Sequence, residues 1–240
     1  GRGSSSLLLG TIADLERGGT AAGRSHRMTV HLHIGDLPPD VAAALAAGGS
    51  VAVDSETMGL RPDRDRLCVV QLSGGDGDAH LVQFPAAGAG TSPDYSAPNL
   101  RRLLADPSVL KLFHFGRFDI AVIRRYLEVV CTPVWCTKIA SKLVRTYTDR
   151  HGLKDLCREL LEVDLSKQQQ SSDWGGPVLS QAQRDYAASD VLHLHALQAE
   201  LRRRLERENR LGLAEACFAF LPIRAELDLA GWPDEDIFAH

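Results

Sequence analysis

Short runs of alternating apolar and polar residues fill the first half of the chain, and helical spacing takes over in the second. The run "MTVHLHIGDL" from Met28 alternates as a strand does. Further strands are predicted over 51–55, 67–73 and 79–84, divided by Asp- and Gly-rich turns, with a short one near 109–113. Residues 41–49 read as a short helix or turn, and 88–98 as a loop. Helical periodicity appears near 99–105 and 117–127, and then over 136–146, 151–161, 180–207 and 211–219. A strand-rich half followed by a helix-rich half predicts an α/β domain, a mixed central sheet flanked by helices. Residues 1–27, rich in Gly, Ser and Arg, read as a flexible extension. The domain is expected over 28–219, followed by a C-terminal segment, 220–240, with enough apolar residues to contribute to an oligomer interface.

Composition narrows the picture. The 240 residues are 44% hydrophobic and 24% charged, as in a globular protein. No apolar run reaches the ~18 residues of a membrane span, and "SSSLLLG" is too short for a secretory leader. Five cysteines, an odd number without a CxxC pair, argue against a disulfide framework or a zinc ribbon. Reduced thiols and a cytoplasmic location are expected. The net charge of −4 excludes long-range attraction to a polyanion, so any nucleic acid must be held by local contacts or a metal.

The stretch "VAVDSETMGL", 51–60, carries two acids in an apolar strand. Asp54 and Glu56 are two apart and share one face, where they repel each other unless a cation intervenes. In "KLFHFGRFDIAVIRRYL", 111–127, Asp119 falls in the first turn of a helix, where the helix dipole also favours a carboxylate. In "QRDYAASDVLHLHAL", Tyr186 and Asp190 are four apart and share a helix face. His193 and His195 lie on opposite sides of that helix and cannot chelate one ion together. His31 and His33 could share a strand face, but no third ligand is near in sequence. The run "RRRLERENR" reads as a solvated helix end.

Strand acids DxE, a second Asp about 65 residues on, and YxxxD on a late helix resemble the DEDD superfamily of 3′–5′ exonucleases, in its tyrosine-bearing branch typified by ribonuclease D. The sister branch has a histidine where this chain has Asp185. The stretches "CTKIASKLVRTYTDRHGLK", "SKQQQSSDW" and "YAASDVLHLH" are similar to the nanoRNase C group of bacterial oligoribonucleases. The 50 residues after Asp190 are too few for the extra helical module of ribonuclease D.

This resemblance implies a ribonuclease H-like fold and a catalytic set of Asp54, Glu56, Asp119, Tyr186 and Asp190. The four acids would hold two Mg²⁺ or Mn²⁺ ions on the scissile phosphate, oxygen ligands being suited to both. Tyr186 would orient the attacking water. The implied substrate is short RNA, dinucleotides above all, cut by a ring-shaped homo-octamer with no membrane partner. Leu60 would wedge between the terminal bases, with Met58, His114, Lys138, Gln170 and Trp174 as further substrate-side candidates. Leu60 could instead be core, and Trp174 a buried residue at a helix head. Trimming of structured RNA, DNA hydrolysis, or a silent nucleic-acid-binding domain are the alternatives. Retention of all four acids and Tyr186 argues against the silent one.

Overall fold

A computed structural model describes residues 29–86, 88, 91–166, 168, 169 and 171–240. The proposed N-terminal extension, 1–27, lies outside the described residues. Six strands, β1 (Thr29–Ile34), β2 (Ser50–Thr57), β3 (Leu67–Ser73), β4 (Asp78–Gln83), β5 (Leu110–Phe113) and β6 (Val134–Cys136), form one sheet in the order β1-β4-β3-β2-β5-β6. β3 runs antiparallel to β2 and β4, and the other pairings are parallel. The sheet is therefore mixed, as the strand-rich first half and helix-rich second half predict. β3 is buried at every position, the polar Gln71 and Ser73 included.

Among the described residues eight helices flank the sheet: α1 (Pro39–Ala47), α2 (Pro98–Ala105), α3 (Arg117–Tyr126), α4 (Thr137–Val144), α5 (Leu153–Leu161), α6 (Gln181–Leu192), α7 (Leu194–Arg207) and α8 (Leu211–Leu229). α6 packs across β2, β3 and β4, and α3 lies along α8. Among the described residues no helix is long and apolar enough to cross a membrane. All five cysteines are free, four of them buried.

Three elements differ from the sequence reading. β6 follows Pro133 and has only three residues, too short for periodicity to reveal. The predicted helix over 180–207 is two helices that meet at His193, which closes α6 and opens α7. Beyond that break His195 packs on Gly75, and its Nε2 lies 3.2 Å from Ser50 Oγ. α8 continues past the expected end at 219, through Pro222, to Leu229. An internal proline costs a helix about 3 kcal/mol. Burial of Phe218, Leu221 and Ala225 in the core offsets that cost, at about 1.5–3 kcal/mol for each large side chain. The division at 219/220 thus falls inside one helix.

The end of α8 is clamped to the start of α3. Asp228, its side chain only 7% exposed, accepts hydrogen bonds from Arg117 Nε and Nη2, both at 2.7 Å, and from Arg224 Nη2 at 2.6 Å. Arg117 also donates to the carbonyl of Pro233, and Arg224 to that of Trp232. The segment after α8 thereby folds back on its own chain, with the Phe238 ring tilted against that of Phe220. Removing the acid leaves two guanidinium groups facing each other without a counter-charge. Asp228→Ala should cost about 2 kcal/mol, less than a fully buried pair because Arg117 is partly solvated. Urea unfolding would measure it, and a loss below ~0.5 kcal/mol would show that the clamp is ornamental.

Candidate active site

β2 occupies the middle of the sheet, between β3 and β5. Across the β2–β3 ladder Asp54 faces Gln71 and Glu56 faces Val69, and the register shifts between Glu56 and Thr57. Such an irregularity bends the strand and re-aims the residues beyond it. Gly59 lies in the loop after the bend. A Cβ there would meet the Asp65 carboxylate at 2.2 Å, so any larger residue would have to displace that side chain.

The two acids of β2 point to the face covered by α6. This helix starts at a capping box: Ser180 Oγ accepts from Gln183 N, and Gln183 Oε1 accepts from Ser180 N. The cap fixes the helix start, and from there Tyr186 and Asp190 fall one turn apart on the face that meets Asp54 and Glu56. Trp174 packs beside the Tyr186 ring, centroids 6.1 Å apart.

Asp119 enters from the other side. Ser55, between the two acids of β2, donates from Oγ to Asp119 Oδ1 at 2.6 Å. α3 has no side-chain cap, and Asp119 sits buried in its first turn. Ser55 was not singled out from sequence. A serine between two acids gives no signal until the helix that meets it is known.

One carboxylate oxygen from each of Asp54, Glu56 and Asp190 can be chosen so that all three lie within 4.8 Å of one another. Three hard oxygen donors this close fit a divalent cation such as Mg²⁺. Asp119 is not in this trio, and its Oδ1 accepts from Ser55. It still acts on the others through space. Burial, then Asp119, Asp190 and Glu56, push the Asp54 carboxyl well above its ordinary range. Burial and the negative charges of Asp190 and Asp119 push Glu56 up to about 9. Burial raises Asp119 and Asp190 to about 7 each. The Tyr186 phenol is raised too, by burial and then by Asp190, Glu56 and Asp54. It therefore stays protonated.

Asp54, Glu56, Tyr186 and Asp190 line a cavity of about 660 Å³. Leu60 is 88% exposed at its mouth, and Met58 is half exposed beside it. The core alternative for Leu60 is thereby excluded. Trp174 is buried and forms part of the cavity wall, in a turn segment ahead of α6 and not at a helix head. His114 Nδ1 lies 2.8 Å from Thr137 Oγ1, and that hydroxyl donates to the carbonyl of Phe113. The network assigns the proton to Nδ1 and leaves Nε2 as an acceptor. Burial, then the charge of Lys138, lower His114 to about 3, so it is neutral. Lys138 lies 4.0 Å over the Phe115 ring. Phe115, another wall residue missed in the sequence, holds a left-handed backbone (φ 63°) that bulky residues avoid. Gln170 lies outside the described residues. His31 and His33, away from this cavity, stack against His80 on β4.

The raised acids set a pH dependence. Each binds its proton more tightly folded than unfolded, so the metal-free protein loses stability as pH rises. The window runs from the ordinary carboxylate range, about 4, through about 7 for Asp119 and Asp190 and about 9 for Glu56. A divalent ion neutralises the same charges and displaces the same protons. Thermal midpoints in chelator should fall across this window, and Mg²⁺ should raise the midpoint more at about pH 8 than at about pH 5. A midpoint in chelator that rises over the window would contradict this charge assignment.

Comparison with known proteins places this geometry. Residues 34–206 match the 3′–5′ exonuclease family. Ribonuclease D of Granulibacter bethesdensis is 37% identical over 161 residues, 67% of this chain and 39% of that protein. The chain spans about two fifths of the length of such ribonuclease D relatives. The structure of Brucella melitensis NrnC bound to pGG is 57% identical with a TM-score of 0.81, over 89% of this chain and 100% of that one. The same protein with bound Mg²⁺ gives 0.80 at 57% identity, over the same shares of the two chains. Escherichia coli RNase D, 24% identical over 83% of this chain and 51% of its own, shares the fold with a TM-score of 0.71. The chain belongs to the 3′–5′ exonuclease family, in the part of it that holds ribonuclease D and NrnC.

Proposed function

We propose that this protein is a metal-dependent 3′–5′ exoribonuclease of very short RNAs, dinucleotides above all, releasing nucleoside 5′-monophosphates. The observation that carries the reading is the convergence of Asp54, Glu56 and Asp190 oxygens in one cavity of about 660 Å³. That volume suits a small ligand, for which pockets run about 300–1,000 Å³, and not a long chain. The pGG bound to the 57% identical NrnC supports a dinucleotide.

Asp54, Glu56 and Asp190 would hold two divalent ions, Mg²⁺ or Mn²⁺, with Asp119 completing the charge balance. Such ions, when bound, lower the pKa of an attacking water and neutralise charge on the leaving oxygen. The chain's other groups orient and select. The Tyr186 hydroxyl, kept protonated, positions the water and is no general base. Leu60 and Met58 offer apolar surface to the bases at the mouth. Lys138 offers a cation to a phosphate, and His114 Nε2 an acceptor to a hydroxyl. Free cysteines support a reducing cytoplasm as the working place. Exposed Ile223, Trp232, Ile237 and Phe238 on and after α8 support a homo-oligomer, an octamer by resemblance.

Tyr186→Phe should lower kcat about 100-fold and leave the dinucleotide Kd nearly unchanged, since only an interaction strengthened in the transition state is lost. Unchanged kcat with weakened binding would move Tyr186 to the substrate pocket. The assignment itself is tested by kcat/KM for RNAs of about two, three, five and seven nucleotides and their DNA counterparts, at two salt concentrations, with and without chelator. The dinucleotide RNA should be fastest, and chelator should abolish turnover. A seven-mer that wins at both salts would make this a general trimming exonuclease. Faster DNA would make it a DNA exonuclease.

A further inference from the structure

We propose that Gln71 is a positioning residue for Asp54, its amide nitrogen donating a hydrogen bond to the Asp54 carboxylate in the metal-loaded site. The inference rests on the metal-site reading above and extends it to a residue outside the DEDD set.

Gln71 is fully buried in the middle of β3, and neither its Nε2 nor its Oε1 has a hydrogen-bond partner. Buried side-chain amides are nearly always satisfied, so such a group calls for an explanation. Its neighbours on the sheet identify the candidate partner. Gln71 stands directly opposite Asp54 on β2 and Leu81 on β4, with Val69 and Ser73 two residues away on its own strand. Residues opposite each other on an antiparallel ladder share a face, with Cβ atoms about 5 Å apart. Val69 and Leu81 pack with Ala187 of α6, so this face is the one that α6 covers. Val69 and Leu81 offer no polar group. Ser73 Oγ is already engaged, donating to the carbonyl of Asp78 and accepting from Gly75 N. Among these neighbours Asp54 alone remains as a polar partner.

The chemistry matches in one direction only. An ionised carboxylate accepts and cannot donate, so Nε2 is the atom that meets it. Where a carboxylate would bind an ion through one oxygen, the other is free to accept a hydrogen bond. Outer partners of this kind are worth about 10–100-fold in metal affinity or activity. Gln71 approaches along the sheet, a direction from which no cation or substrate can enter.

The test is Mn²⁺ binding without nucleotide, by calorimetry or electron paramagnetic resonance, on wild type and Gln71→Met. Methionine keeps the length and burial and removes both polar atoms. The variant should keep or raise its thermal midpoint in chelator, while its Mn²⁺ affinity falls about tenfold or more. Its kcat should fall more than its KM for a dinucleotide rises. Equal Mn²⁺ affinity in variant and wild type overturns the inference while leaving the metal site standing. A wild type that binds no Mn²⁺ overturns both. Should Gln71→Met not fold, a crystal structure of wild type with Mn²⁺ and a phosphorothioate dinucleotide decides. Nε2 within about 3.2 Å of an Asp54 oxygen supports the inference, and an amide turned to any other partner overturns it.

Discussion

Mutual repulsion among carboxylates withdrawn from water is the constraint around which this molecule is arranged. Asp54, Glu56, Asp119 and Asp190 come from a strand and two helices, and each raises the free energy of ionising the others. A soft scaffold would let them drift apart. Here the strand that carries two of them is flanked on both edges by hydrogen-bonded neighbours. The helix that carries Asp190 is fixed by its capping box. The helix that carries Asp119 is pinned at its first residue by Asp228 and, at Asp119 itself, by Ser55. Each restraint is ordinary, and together they keep four like charges close enough to need a cation.

The surroundings divide the remaining work. On the inner side, neutral polar groups (Ser55, His114, Thr137) settle orientation without adding charge. On the outer side, exposed Leu60, Met58 and Phe115 present apolar surface to whatever enters. Phe115 holds a left-handed backbone at a cost of about 1–3 kcal/mol, which persists only because its neighbours fix it. The turn brings its ring beneath the Lys138 ammonium and out of the core.

Much of this was legible in the sequence, and the reasons are specific. Asp54 and Glu56 stood out because acids are rare in an apolar strand, and Tyr186 and Asp190 because four residues make one helical turn. The mixed sheet followed from the change of period along the chain. What escaped depends on contacts between distant segments. Ser55 matters through a helix 64 residues away, and Gln71 through its register against β2. The break at His193 has no Gly or Pro to announce it. The passage of α8 through Pro222 is decided by what the helix buries, which local propensity does not encode.

The clamp between Arg117 and Asp228 joins residues 111 positions apart in the chain. During synthesis from the N-terminus, β2, α3 and α6 all precede the acid that anchors α3. Contacts of such long sequence separation form late in folding. Asp119 therefore lacks part of its support until the end of α8 is in place. A nascent or truncated chain carries all four acids yet lacks that anchor, so assembly of the last helix separates a chain that merely contains the residues from one that holds them in register.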